Sequence, residues 1–198
     1  MGRELEVKFR AAPETLCRIE ETLGGAFQEI RMRTFYYDTP RWDLAARKWT
    51  LRRRMENDSN VCTLKTPAGG YGRNEWETEC DDIFAAIPLL AAESGLPELQ
   101  TLAEQQELLA MCAAVFVRRC RLLDLGGTTV ELALDQGVLL GGMKELPFTE
   151  VEIELKSGSE DTLLLFARKL QGDYGLTTEH ASKFARAKAL VKEEPHGT

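Results

Sequence analysis

Histidine is nearly absent: the chain holds only His180 and His196. A His-based zinc site needs several imidazoles at set spacing, and a Ser-His-Asp triad needs one beside its nucleophile, so both chemistries are improbable. Cysteines stand at 17, 62, 80, 112 and 120, an odd set with no CxxC pair and two members inside apparent strands. That usage describes reduced core thiols of a cytoplasmic protein, not a disulfide frame. No apolar run reaches membrane-spanning length. The first patterned stretch begins at Glu4, which leaves no room ahead of it for a signal peptide. Glu6 stands where a myristoylation signal wants Ser or Thr. Pro67 to Gly72 is glycine-rich, but neither GK[ST] nor GxGxxG occurs, so a phosphate loop is not indicated. Positive charge is in deficit, with 25 Lys and Arg against 32 Asp and Glu and a net charge of −7. A nucleic-acid or membrane-surface protein should be basic, so neither partner is expected.

What is present is alternation. In Glu4-Leu5-Glu6-Val7-Lys8-Phe9 charged and apolar residues take turns, the period of a β-strand. Glu150-Val151-Glu152-Ile153-Glu154-Leu155-Lys156 repeats the pattern late in the chain. Between them Arg52 and Arg54, then Arg73, Glu75, Glu77 and Glu79, also stand on alternate positions. A solvated sheet face normally mixes in Ser, Thr and Gln. A face that is almost wholly charged, with both signs, fits a closed barrel with a charged lumen. Ion pairing across an ordinary solvated sheet fits the same pattern.

The 198 residues and 43% hydrophobic content suit one domain spanning 1–198, with a real core. Pro13 opens a helix whose apolar stripe is Leu16, Ile19 and Leu23, closed by Gly24-Gly25. Residues 33–38 read as a strand, and a short helix follows through Trp42 and Leu44. Strands are expected at 49–55, 61–66 and 73–79, the first two joined by a turn at Asn57 to Asn60. Residues 81–113, rich in Ala, Leu and Glu, read as a helical insertion of two or three helices. Strands follow at 115–125, 129–135 and 148–156, with a Gly126-Gly127 hairpin turn and a loop at Gly137, Gly141 and Gly142. Ser157 and Glu160 resemble a capping box ahead of a helix carrying Leu164, Ala167 and Leu170. A last helix covers about 181–192 and carries Lys183 and Arg186, and residue 193 onward looks frayed. Tyr36, Tyr37, Trp42, Trp49 and Trp76 are assigned to packing.

Period two places Glu4 and Glu6 about 7 Å apart along one strand, and likewise Glu152 and Glu154. If those strands face each other, four carboxylates converge, and like charges raise one another's pKa unless a cation joins them. Oxygen-only ligands suit Mg²⁺ or Mn²⁺, with Asp135 as a further ligand. Lys8, Arg52, Arg54, Lys65, Arg73 and two of Arg118, Arg119 and Arg121 form the basic set. Arginine offers planar bidentate bonds to phosphate oxygens, each worth roughly 1.5–3 kcal/mol. One phosphate would not need so many cations; a chain of three would.

The ordered set of motifs resembles the CYTH superfamily, the triphosphate tunnel metalloenzymes. It comprises Glu4-x-Glu6-x-Lys8, YYDTP (36–40), LRRR (51–54), CTLK (62–65), RNEWE (73–77), ELALDQG (131–137), EVEIEL (150–155) and SKFAR (182–186). The resemblance, nearest to bacterial inorganic triphosphatases, implies an α+β fold: a closed eight-stranded antiparallel β-barrel forming a tunnel, with helices packed outside. It implies that Glu4, Glu6, Asp135, Glu152 and Glu154 hold one or two divalent ions. Lys8, Arg52, Arg54, Lys65, Arg73 and Lys183 would bind the triphosphate. Glu75, Glu77 and Glu131 would line the tunnel and, with Lys183, are the candidates for the catalytic base. On the strand at 115–125 the family's two alternate cations are matched best by Arg119 and Arg121. A tight Gly126-Gly127 turn would instead pair Arg118 with Asp135 and point Arg118 inward. The implied substrate is a small polyanion, tripolyphosphate or a nucleoside or thiamine triphosphate. The implied reaction is metal-dependent hydrolysis, with adenylyl cyclase, thiamine triphosphatase and non-catalytic polyphosphate binding as alternatives.

Overall fold

The computed structural model describes residues 5–68 and 73–192. Glu4, the end of the glycine-rich loop and the segment expected to fray lie outside those residues. In chain order the elements are β1 (Glu6–Arg10), α1 (Pro13–Leu23), β2 (Gln28–Asp38), α2 (Asp43–Ala46), β3 (Thr50–Glu56), β4 (Ser59–Pro67) and β5 (Arg73–Glu79). Then come α3 (Ile83–Ser94), α4 (Pro97–Gln105), β6 (Leu109–Asp124), β7 (Thr129–Gly141), β8 (Lys144–Ser157), α5 (Glu160–Tyr174), β9 (Thr177–Thr178) and α6 (Lys183–Lys192).

The fold is α+β, built on one antiparallel sheet in the order β5-β4-β3-β2-β6-β7-β8-β1-β9. Where eight strands in a closed barrel were expected, the described residues form a nine-stranded antiparallel sheet, and among them hydrogen bonds do not join its two edge strands. β9 takes the edge of β1 at Phe9 and Arg10, an edge that closure against β5 would need. Among the described residues β5 pairs only with β4.

Alternation divides the sheet into two faces. On the outer face Phe9, Leu132, Leu134, Val151 and Ile153 pack against Leu16 and Ile19 of α1 and Leu163, Ala167 and Leu170 of α5. Farther round, Leu51, Cys62 and Leu64 pack against Ile83, Ile87 and Leu90 of α3 and Leu99 of α4. These helices lie outside, as expected. α6 does not. Its Phe184, Ala187 and Leu190 meet Met32, Tyr36, Ala114, Phe116, Leu139 and Phe148, residues in phase with the charged face. A Cβ on Gly141 would lie 2.4 Å from the Ala187 carbonyl oxygen, so the bare glycine lets α6 reach the inner face.

Other expectations shift for local reasons. The helical insertion ends sooner, because Leu109 to Ala113 pair with Phe35 to Asp38 as the start of β6. β7 continues through the expected glycine loop to Gly141. At Gly137 a Cβ would stand 2.2 Å from the Val115 carbonyl oxygen and 2.4 Å from Phe116 Cβ, so glycine here serves close strand approach. The cap of α5 is Ser159, whose side chain accepts from the Thr162 amide; Ser157 ends β8. Leu163, not Leu164, is the buried member of the α5 stripe. The aspartate of YYDTP also gains a reason. Buried Asp38 accepts from the amides of Thr39 (2.8 Å), Leu44 (2.8 Å) and Ala45 (2.9 Å) and holds the turn into α2. Among the described residues no helix is long and apolar enough to cross a membrane.

Gly137→Ala should destabilise the protein by about 1–3 kcal/mol through overpacking. Gly172→Ala, in the interior of α5 with open space at its Cβ position, should be neutral or stabilising by up to about 1 kcal/mol. Urea midpoints of the two variants against the parent check both.

Candidate active site

Cross-strand register stacks the inner side chains in rows. Glu6 of β1 lies opposite Glu154 of β8, which lies opposite Glu131 of β7. One step along, Lys8 is opposite Glu152. One step further, Glu150, Asp135 and Arg118 run across β8, β7 and β6. On the other half of the sheet, Arg52 is opposite Tyr36 and Thr63, Lys65 is opposite Thr50 and Glu75, and Glu77 is opposite Thr63. Because the sheet curls, both halves face one cavity of about 380 Å³ lined from β1 through β8 and from α6. An ordinary solvated sheet would share no such space.

The basic half is held in place by acids beneath it. Arg52 Nη2 is 3.2 Å from Glu75 and 3.7 Å from Glu77. Lys65 Nζ is 3.1 Å from Glu75. Arg54 lies 2.5 Å from Glu56 and 3.8 Å from Glu77. Arg73 donates to the carbonyl oxygens of Lys48 (2.9 Å) and Lys65 (3.3 Å) and to the Thr50 hydroxyl (3.2 Å). The pairing is incomplete: Arg52 Nε is buried without a hydrogen-bond partner. Burial, then the like charge of Arg52, pushes the Arg54 guanidinium below its ordinary pKa. An anion in the cavity would relieve both conditions.

The acidic half divides in two. Asp135, Glu150 and Glu152 are all buried, with carboxylate oxygens within 4.8 Å of one another. Lys183 of α6 already stands among them, its Nζ 2.9 Å from Asp135, 2.5 Å from Glu150 and 2.6 Å from Glu152. Arg118 grips both Asp135 oxygens at 2.8 Å and also reaches Glu152. Arg186 pairs with Glu150. Burial alone would lower the Lys183 pKa, but Glu152, Asp135 and Glu150 together raise it. Burial alone would raise that of Glu152, but Lys183, Arg118 and Lys8 hold it below the usual carboxylate range. These three acids are therefore already matched by protein cations, and Asp135 in particular is engaged by Arg118 and Lys183.

The row of Glu6, Glu154 and Glu131 is more open, with side chains 28%, 28% and 23% exposed. Lys8 sits 3.0 Å from Glu6, and Lys156 lies 2.8 Å from Glu154 and 3.9 Å from Glu131. Lys8 is itself raised in pKa, because Glu6 and Glu152 outweigh its burial. The donors here are all oxygen, without sulfur or imidazole, the chemistry that a hard divalent ion takes, and Glu152 of the buried trio also lines the same cavity.

Sequence reasoning placed Glu6, Lys8, Arg52, Arg54, Lys65, Arg73, Glu75, Glu77, Glu131, Glu152, Glu154 and Lys183, and all of them line the cavity. Arg119 and Arg121 are corrected. Arg119 turns outward to Glu20 of α1 at 3.1 Å, and Arg121 binds the Gly24 carbonyl and lies over Phe27. Arg118 takes the inward place because it registers with Asp135, the outcome that the Gly126-Gly127 turn permits. Lys156 was missed as a cavity residue, and Glu150 and Arg186, which lie behind the lining, were missed as partners of Lys183 and of each other. For Glu150 and Lys156 the signal was present, since they stand in phase with Glu152 and Glu154.

The profile of the CYTH domain matches residues 2–187. The chain belongs to the CYTH family. An inorganic triphosphatase of Haemophilus influenzae is 29% identical over 202 residues, covering 98% of this chain and 56% of that protein. This CYTH chain thus spans about half the length of that relative. Among solved structures, a Hippeastrum adenylyl cyclase candidate with a dominant triphosphatase activity superposes with a TM-score of 0.64 at 20% identity, covering 98% of this chain and all of that one. A candidate adenylate cyclase of Bacillus halodurans gives 0.62 at 19% identity, covering 92% and 96% of the two chains. Likeness at those identities shows a shared fold alone.

Replacing Lys183 by Met strands the buried acids, and breaking such a pair costs about 3–5 kcal/mol. Urea unfolding at pH 7 in EDTA should show a loss of that order. Because Glu152 is depressed in the folded protein, its contribution to stability is present above the ordinary carboxylate pKa. That contribution is lost as pH falls through the lower folded value. The gap between parent and variant should therefore narrow below about pH 4.

Proposed function

We propose that this CYTH domain hydrolyses inorganic tripolyphosphate to pyrophosphate and phosphate inside the cavity, with Mg²⁺ or Mn²⁺. The carrying observation is the single space of about 380 Å³ that an acidic row and an incompletely paired basic wall share. The Haemophilus relative, named an inorganic triphosphatase, supports the same reading. Arg52, Arg54, Lys65 and Arg73 bind phosphoryl oxygens from one side, and Lys8, Arg118 and Lys183 from the other. Glu6 and Glu154, with Glu152 beside them, are the residues that would hold the ion. The chemistry a bound divalent ion supplies is neutralisation of charge gathering on the leaving pyrophosphate. Glu131 orients the attacking water and accepts its proton. Its nearest cations stand 3.9–4.0 Å away, whereas Glu75 and Glu77 are committed to Arg52, Lys65 and Thr63. Arg119 and Arg121 serve the attachment of α1.

Protein incubated with tripolyphosphate, ATP or thiamine triphosphate and either metal should release phosphate chiefly from tripolyphosphate. Cyclic AMP from ATP, or binding without turnover of any of the three, would overturn the assignment. Glu154→Gln should cost about 100-fold or more in turnover, since even residues behind metal ligands cost about 10–100-fold. Arg118→Met should impair tripolyphosphate binding while Arg119→Met stays near the parent value, measured by calorimetry in EDTA.

A further inference from the structure

Glu150 is a carboxylate with no exposed surface, and the reaction outlined above does not use it. It is absent from the cavity lining, yet it contacts two cations of α6. Lys183 approaches one oxygen at 2.5 Å and Arg186 meets the other. These cations are three residues apart, so one helical face presents both. A second carboxylate extends the contact: Glu179 lies 3.8 Å from Arg186 and 3.4 Å from Arg10 of β1. Glu179 also accepts from the Ala181 amide at 2.8 Å, and its own amide donates to the Lys8 carbonyl at 2.9 Å. The approach to α6 is thereby tied to the strand that carries Glu6 and Lys8. The apolar contacts of α6, through Phe184, Ala187 and Leu190, hold the helix against the inner face, and the charged contacts to Glu150 add an anchor beside its first turn. The anchor is a charge-assisted hydrogen bond from Arg186 to the buried Glu150, with the Lys183 ammonium held close to its other oxygen as an ion pair.

We propose that Glu150 and Arg186 are positioning residues that dock α6 inside the curled sheet and so hold the Lys183 ammonium at the cavity wall, where it meets the phosphate chain. The inference rests on the tripolyphosphate reading for what Lys183 does, but not for how α6 is held. Glu150 acts through Lys183 and Arg186 and touches neither substrate nor ion. With Glu150 neutralised, Arg186 loses its buried acceptor, α6 departs from its seat more often, and Lys183 leaves the cavity for part of the time. The loss therefore falls on anion binding even where no metal is present.

The test compares the parent chain with Glu150→Gln and, from the helix side, Arg186→Gln, which is safer for folding because the site is less deeply buried. Amide hydrogen exchange is followed over residues 183–191, with β7 and β8 as internal reference, and tripolyphosphate binding is measured by calorimetry in EDTA. Faster exchange in α6 alone, with tripolyphosphate bound about tenfold or more weakly, is the expected result for both variants. A Glu150→Asp variant should restore part of each effect. Exchange in α6 that matches the parent in Arg186→Gln would overturn the proposal, whatever happens to binding. Faster exchange with undiminished tripolyphosphate affinity would overturn the role of docking in substrate binding. If the parent itself does not bind tripolyphosphate, the functional reading fails, and α6 exchange still decides the docking claim separately.

Discussion

Buried acids that must be matched by buried bases set the rest of this structure. Asp135 and Glu150 have no exposed surface and Glu152 almost none, and three carboxylates so close together could not stay ionised without cations among them. Lys183, Arg118 and Arg186 supply those cations from two elements, β6 and α6. The match fixes which arginine of the 118–121 stretch turns inward and brings a helix to the inner face of the sheet. It also leaves the neighbouring row, Glu6, Glu154 and Glu131, as the more accessible set of oxygens.

Across the cavity the balance runs the other way. Glu75 and Glu77 are shared among Arg52, Arg54 and Lys65, a buried guanidinium nitrogen stays without a partner, and the Arg54 pKa is pushed down. A wall that is short of negative charge faces a row rich in it. The protein walls of the cavity strengthen these interactions relative to a flat, fully solvated surface. Outside, the same strands present aliphatic residues to α1, α3, α4 and α5, so one period-two pattern serves both a charged interior and an apolar exterior.

Alternation made much of this legible. Glu152, Glu154, Arg52, Arg54 and Lys65 could be put on a common face because side chains in a strand must alternate, wherever the strand ends up. Arg118 could not be settled that way. Three arginines within four positions satisfy either phase, and only the pairing of β6 with β7 selects one. Gly137 and Gly141 read as loop residues because glycine is common there. In fact each permits a close approach, one by Phe116 and one by α6, from parts of the chain far away in sequence. The alanine-rich start of β6 looked helical by composition, and pairing with β2 overrode that preference.

Residue order therefore settled the strands, their two-faced character, the charged set and the family, because each depends on local periodicity or on motifs read in line. Closure of the sheet, the inward seat of α6 and the choice of partner for each acid depend on which distant segments meet. Those were decided by competition for a limited number of edges and buried counter-charges: β9 occupies part of an edge that a closed barrel would need, and Lys183 stands against Asp135 and Glu152, two of the five acids that the sequence reading gave to a metal. Such competition has no signature along the chain, since it is resolved only when all the claimants are present in the same space.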